Sequence, residues 1–349
     1  MKYVKGMYII WEDYDYIEKC IEAGINSLNI LMINYSLEED LIHDHYGHYM
    51  SLIPLLERYH NDPRVDVCLT ITLNKTFADI PVTQAFHNGK EYLMRTPCPT
   101  SEEWIISRLK KVEVLCNTYN IKNVQFDVEH YGAESNKNIE KIWDDKWFPE
   151  YKCHCTRCKD LSKREQWKRH NKLFKKHLSK IDLNSSGQLA YFNMWNFSKY
   201  IGNKWLYTEN TYPTGEKPSK SIYRKYWKSH WGRKLWSMLF YGNDIHICAG
   251  LWLEKFTADD FIKWLKMYGE CSLYEGYWLY PQARLSKNTR FPRGHEVDPK
   301  YGDMYRDLID DPKGIGSNPF FFNNLKEANK HIDDYRKSFK FKAKRLLWL

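Results

Sequence analysis

No run of apolar residues approaches the 18 or so needed to cross a bilayer, so the sequence predicts no membrane span and no membrane partner. The opening MKYVKGMYIIWEDYD has no secretory h-region and passes directly into a strand pattern, which points to the cytoplasm. No glycine-rich phosphate loop occurs, which argues against nucleotide binding. No serine nucleophile elbow occurs either. The first strand pattern carries YIIWED where an amidohydrolase barrel needs His-x-His. Internal repeats and low-complexity tracts are also missing.

The chain instead has 349 residues, 43% of them hydrophobic and 16% aromatic, including 14 Trp and 26 Tyr. That is enough for one large packed core, and such rings can line a cleft that stacks on sugar faces. The net charge is +9, but the cations are spread along helical patterns such as 159–180. Solvated helix faces explain that spread better than nucleic acid does. Only KSFKFKAKR, 337–345, reads as a basic arm.

Apolar, β-rich runs fall at 6–11, 27–33, 65–73, 122–128, 188–194, 205–208, 245–252 and 272–280, mostly separated by helical patterns. Eight such alternations predict a parallel (β/α)8 barrel, with residues 1–349 as a single domain. The short run WLYT at 205–208 is the weak point, because about ten residues separate it from the run before and a crossover needs roughly that many. Residues 281–322, rich in Pro, Gly and Asn, read as a long loop on the face where barrel active sites sit. A C-terminal helix and basic tail follow at 323–349. His43, His45 and His48 of HDHYGHY read as loop histidines after the second strand.

Nine cysteines form an odd set, and CHCTRC crowds Cys153, Cys155 and Cys158 too closely for a disulfide framework. Three thiolates within six residues can converge on one tetrahedral ion, and zinc is the usual occupant of an all-sulfur site. The fourth ligand comes from Cys98, Cys116, Cys68 or His154. Cys98 is favoured because it lies in a loop just before a helix start, whereas Cys116 and Cys68 fall in core-facing patterns. Four sulfurs close the coordination sphere, so the zinc is predicted to be structural, tying the loop after the third strand to the loop after the fourth.

The fourth strand pattern ends NVQFDVEHYG. Asp127 and Glu129 are two apart, so both face one way, toward the pocket if this is the C-terminal end of a barrel strand. Glu209, Glu254 and Glu275 stand near later strand ends. Glycoside hydrolysis needs two such carboxyls across the bond. Asn193, Tyr207, Trp252 and Trp278, with Glu209 and Glu275, are the candidate substrate-binding residues.

The stretch from Thr96 to Gly132, followed by Cys153–Cys158 and the helix after it, resembles the family 42 β-galactosidases, which are clan A barrels. The resemblance spans about 70 residues. It implies Cys98, Cys153, Cys155 and Cys158 as zinc ligands, Glu129 as acid/base, and the seventh-strand glutamate, Glu254, as nucleophile in a retaining hydrolysis of an oligo- or polysaccharide. Val128 stands where that family has an Asn that contacts the sugar. The Asp-x-Glu ending also resembles family 18 barrels, where the Asp orients a substrate N-acetyl group, although Gln125 replaces a further Asp of that pattern. That resemblance implies a substrate-assisted route through Asp127 and Glu129. Both families imply Trp278 of the eighth strand as a sugar platform. A barrel that only binds glycan or assembles into a larger particle is the non-enzymatic alternative, and the oligomeric state stays open.

Overall fold

The structure, a computed structural model, describes residues 2–9, 14–32, 41–43, 49–72, 82–87, 90–127, 153–181, 189–192, 205–208, 216–242, 244–252, 258–280 and 319–346. Eight parallel strands close into a barrel: β1 (Val4–Ile9), β2 (Ser27–Met32), β5 (Asp66–Thr72), β8 (Asn123–Asp127), β9 (Leu189–Phe192), β10 (Trp205–Tyr207), β11 (His246–Trp252) and β12 (Tyr274–Tyr280). Each pairs in register with its neighbour, from Met7 beside Leu28 through Ile71 beside Phe126 to Gly6 beside Trp278, which closes the ring. The short run at 205–208 is a true barrel strand. Its three residues pair with 190–192 on one side and 246–248 on the other, so β11 is the seventh strand of the ring and β12 the eighth. Two antiparallel hairpins interrupt the alternation. β3 (Leu41–His43) and β4 (Tyr49–Ser51) follow the second barrel strand, and β6 (Val82–His87) and β7 (Lys90–Pro97) follow the third. His43 thus ends a hairpin strand, while His45 and His48 lie outside the described residues.

The described helices are α1 (Tyr14–Glu22), α2 (Ile53–Tyr59), α3 (Glu102–Tyr119), α4 (Lys163–Leu178), α5 (Lys220–Tyr241), α6 (Ala258–Glu270), α7 (Pro319–Lys337) and α8 (Phe339–Leu346). Their ends follow local chemistry. Ser101, Ser162 and Ser219 each accept a backbone N–H of the first turn, and Ser162 forms a reciprocal capping box with Glu165. Gly24 takes φ +94° after α1, and a Cβ there would press on Asn329, so only glycine suits the turn. Asn329 on α7 in turn donates to Ala23 O at 2.7 Å and accepts from the Tyr277 hydroxyl at 2.6 Å.

Strand alternation divides each barrel strand between an outer, helix-facing side and a lumen. Phe126 packs edge-on to Phe174 of α4, on the outside. Its neighbour Gln125 faces inward, where its amide oxygen accepts from Thr70 Oγ1 at 3.0 Å and Asn29 Nδ2 at 3.5 Å. Trp278 fills the lumen beside Tyr8, with ring centroids 5.4 Å apart. It fits because Gly250 faces it: a Cβ at that position would sit 2.3 Å from the indole. The interior is a packed core, as is usual for eight-stranded barrels.

The segment expected as a basic arm is helix α8, docked by buried Phe341 and by Arg345, whose guanidinium donates to Glu275 at 2.9 Å. Lys5 of β1, itself buried, reaches Asp333 of α7 at 2.7 Å, so α7 packs on the outer wall of the barrel beside its first strand. The expected loop at 281–322 falls outside the described residues up to 318, and α7 opens within its last four positions.

Candidate functional site

The four cysteines proposed as ligands converge. The Sγ atoms of Cys98, Cys153, Cys155 and Cys158 all lie within 4.8 Å of one another, and all four residues are buried. Cys98 is 3.4 Å from Cys158 and 3.6 Å from Cys155. Zinc–sulfur bonds of about 2.3 Å at tetrahedral angles put sulfurs about 3.8 Å apart, so the donor set has the size and chemistry of a four-thiolate metal site. A disulfide needs sulfurs at about 2.05 Å, and all nine cysteines are free thiols.

Each ligand is placed by its own local reason. Cys98 directly follows β7, and its carbonyl accepts from Ser101 N at 2.9 Å as the chain turns into α3. Cys155 and Cys158 flank a tight turn in which the N–H groups of Cys158 and Lys159 donate to Cys155 O at 2.8 and 2.9 Å. The backbone N–H of Gln84 points at Cys153 Sγ from 3.5 Å, and His154 N donates to Gln84 O at 2.7 Å, so the hairpin β6–β7 is stitched to the cluster. Hydrogen bonds from the Cys153 and Cys158 thiols hold Cys98 well below the usual thiol range, and the same sharing holds Cys153 and Cys158 above it.

Two residues that sequence reasoning missed hold this arrangement. Gln166 of α4 accepts from Cys153 N at 2.9 Å and donates to Cys153 O at 2.7 Å and Cys158 O at 3.2 Å. Buried His170 bonds through Nδ1 to Pro99 O at 3.0 Å, one residue beyond Cys98, and burial lowers its pKa to about 4. On the surface, Arg157 binds both oxygens of Glu103, at 3.0 and 3.3 Å. The cluster thus ties the loop after the third barrel strand to the loop after the fourth, at the C-terminal mouth.

Around that mouth the strands end at Thr72, Asp127, Phe192, Tyr207, Trp252 and Tyr280, among others. Asp127 closes β8 in register with Thr72. Glu129, Glu209 and Glu254 stand two residues past the ends of the fourth, sixth and seventh strands, and Asn193 one past the fifth. All four lie outside the described residues, as do the side chains of Asp127 and Trp252. Tyr207 and Trp278 lie in the lumen below, 0% and 1% exposed. Burial raises the Tyr207 phenol well above its ordinary pKa, so it stays neutral. Tyr8 stands edge-on to both Trp278 and Tyr280, a ring cluster shared by the first and eighth strands.

Glu275 requires a correction. It is the second residue of β12, at the opposite end of the barrel from the mouth. The register slips there: Ile247 pairs with Tyr274 but Cys248 pairs with Gly276, leaving Glu275 as the extra, bulged residue. Its carboxylate is buried between Arg336 at 3.3 Å and Arg345 at 2.9 Å. Proximity to a strand pattern in sequence suggested a sugar contact, whereas the bulge turns the side chain toward the C-terminal helices.

The ring of eight parallel strands and the buried four-thiol cluster define a (β/α)8 barrel with a candidate metal staple at its mouth. No family model and no curated protein matches the sequence. Among solved structures, the chain is similar to the catalytic domain of a family GH18 chitinase from the fern Peteris ryukyuensis, at 9% identity and TM-score 0.46, over 96% of this chain and 100% of that one. It is similar to the catalytic domain of a hyperthermophilic chitinase from Pyrococcus furiosus at 10% identity and TM-score 0.47, over 97% and 98%. It is similar to a Glycoside Hydrolase 5 lichenase from Caldicellulosiruptor sp. F32 at 11% identity and TM-score 0.49, over 92% and 84%.

Proposed function

We propose that the chain is a glycoside hydrolase whose acid is Glu129. The observation that carries this reading is the end of the fourth barrel strand. β8 stops at Asp127, at the face where such barrels build active sites, and the sequence places Glu129 two residues further on. Glu129 protonates the leaving oxygen, and Asp127 orients it or the substrate. Glu254, two residues beyond the seventh strand, attacks the anomeric carbon in a double displacement, with Glu209 in reserve. Asn193 and Trp252 border the sugar site, and the buried rings of Tyr207 and Trp278 pack beneath it as its support. The order of Cys98, Glu129 and the cysteine trio, shared in resemblance with family 42, supports the assignment.

In this reading the four thiolates hold one zinc. With its coordination closed by sulfur, the ion gives rigidity to the mouth rather than chemistry, and the chain's carboxylates do the acid–base work. One barrel domain over 1–349, with the part of 281–322 that precedes helix α7 as a mouth loop, and a reducing, cytoplasmic setting for the nine free thiols complete the picture.

The test is hydrolysis of a panel of aryl glycosides and natural polysaccharides, with the first-formed anomer followed by NMR. Retention of configuration without need of an acetamido group is the expected result. Strict dependence on that group transfers the nucleophile's role to the substrate, oriented by Asp127. Glycan binding without turnover of any substrate overturns the enzymatic reading in favour of a binding barrel.

A further inference from the structure

The barrel's far end carries a second feature that the mouth does not explain. Seven large hydrophobic side chains are exposed among the described residues. One, Ile106, is on α3. The other six are Trp231, Trp236, Leu239 and Phe240 on α5, and Phe339 and Leu346 on α8. Leu239 is 69% exposed, Phe339 86% and Leu346 82%. The same two helices contain ten lysines and arginines and no aspartate or glutamate. In a chain with 44 acidic residues that concentration of one sign is local to these elements.

The two helices are neighbours at one end of the molecule. α5 finishes just before β11 begins, and Lys234 donates to Ile245 O at 3.0 Å. Arg345 of α8 meets Glu275 at the start of β12. Between α5, α6 and α8 runs a groove of about 470 Å³, lined by Arg224, Trp227, Lys228, Met267, Glu270 and Lys344, among others. The Trp227 ring in this groove stacks on Trp231, centroids 6.0 Å apart and 17° from parallel, so the basic groove runs into the exposed aromatic row. Trp236 and Phe240, 4.0 Å apart, form a second ring pair further round the same helix.

We propose that this face docks on an anionic phospholipid surface, with the cations meeting headgroup phosphates and the exposed rings and leucines entering the headgroup–acyl boundary. Charge complementarity requires an anionic partner. A second copy docking through the same face would bring a like excess of lysine and arginine and be repelled. A nucleic acid or acidic polysaccharide would satisfy the lysines and arginines but gives Leu239, Leu346 and Phe339 nothing apolar to enter. A bilayer offers both parts, and interfacial helices that combine Lys/Arg with Trp, Phe and Leu use both. Among the described residues no helix is long and apolar enough to cross a membrane, and a surface-lying helix needs no such run. The proposal is of peripheral attachment, not of a membrane span. The mouth lies at the opposite end of the barrel.

The test is sedimentation of the full chain with vesicles of equimolar phosphatidylcholine and phosphatidylserine and, separately, of phosphatidylcholine alone, with tryptophan emission recorded. The expected result is binding to the anionic vesicles with a blue shift, weakening steeply with salt. It should fall at least tenfold in Lys225→Gln/Lys228→Gln/Lys342→Gln and in Leu239→Ser/Phe240→Ser/Phe339→Ser, both melting like the parent. Absent binding, equal binding to both vesicles, or undiminished binding of either variant overturns the proposal. So does tight binding to heparin that the apolar variant retains, which marks a polyanion site, or a concentration-dependent dimer that the apolar variant abolishes.

Discussion

Replacing Glu275 with Gln separates a structural carboxylate from a catalytic one. The parent side chain is buried and receives Arg336 at 3.3 Å and Arg345 at 2.9 Å. Arg336 is itself mostly buried, between the rings of Tyr3 at 4.1 Å and Phe341 at 4.3 Å, and it also donates to Gly269 O and Tyr274 O at 3.2 Å. Burial already pulls Arg336 below the usual guanidinium pKa. The Gln variant keeps one acceptor and removes the charge, leaving Arg336 buried without its counter-ion. Breaking a buried pair from one side costs about 3 kcal/mol. The Arg345 arm, half exposed, adds less than about 1 kcal/mol. An unfolding entropy of about 2.1 cal/mol/K per residue over 349 residues turns about 3 kcal/mol into a Tm lower by about 4 °C. The assay is a calorimetric melt beside glycosidase rates at a temperature where both proteins are folded. Loss of turnover in a fully folded variant would return Glu275 to the chemistry, and an unchanged Tm would refute the burial argument.

Substituting Cys155 with Ser should reduce bound zinc from about one per chain to near zero and lower stability more than it alters kcat, because a structural site couples metal binding to folding; elemental analysis with melting checks this, and a metal-free parent that is fully folded contradicts it. In Gly250→Ala the new methyl meets the Trp278 indole and Thr208 O, at 2.3 and 2.6 Å before relaxation. Such overpacking costs about 1–3 kcal/mol, read from the denaturation midpoint, and an unshifted midpoint rejects the packed-lumen account. Arg157 beside Glu103 lowers that carboxyl from 4.5 to about 2. A depressed folded pKa means the stabilisation is fully present above about pH 4.5 and is lost as pH falls toward about 2. Glu103→Gln should therefore flatten the stability curve in that window alone, and an identical acid limb in parent and variant refutes the pairing.

The barrel was legible because parallel strands buried on both faces leave short apolar runs between helical patterns. Even WLYT, three paired residues long, is such a strand. The hairpin β6–β7 was not read, although Asn88-Gly89 between two strand-like segments is a strong short-range hairpin signal. The cysteine set was legible because ligand chemistry is local, and Cys98 stood out by its loop position. Gln166 and His170 were not, since their role depends on backbone groups that only the fold brings near. Glu275 misled because a bulge is invisible in sequence: one inserted residue changes which end and which face a side chain serves. The basic residues of 337–345 read as an arm because Glu275, the ion-pair partner of Arg345, lies 70 residues away in the sequence.

The central claim is that Glu129 supplies the proton to a glycosidic oxygen, and the direct measurement is kcat/KM of Glu129→Gln on a natural glycan and on an aryl glycoside with an acidic phenol. The account predicts a fall of roughly 10²–10⁴-fold on the natural glycan, a much smaller fall in the glycosylation step for the aryl substrate, whose leaving group needs little protonation, and an unchanged melting temperature. Equal turnover by parent and variant on the natural glycan contradicts it.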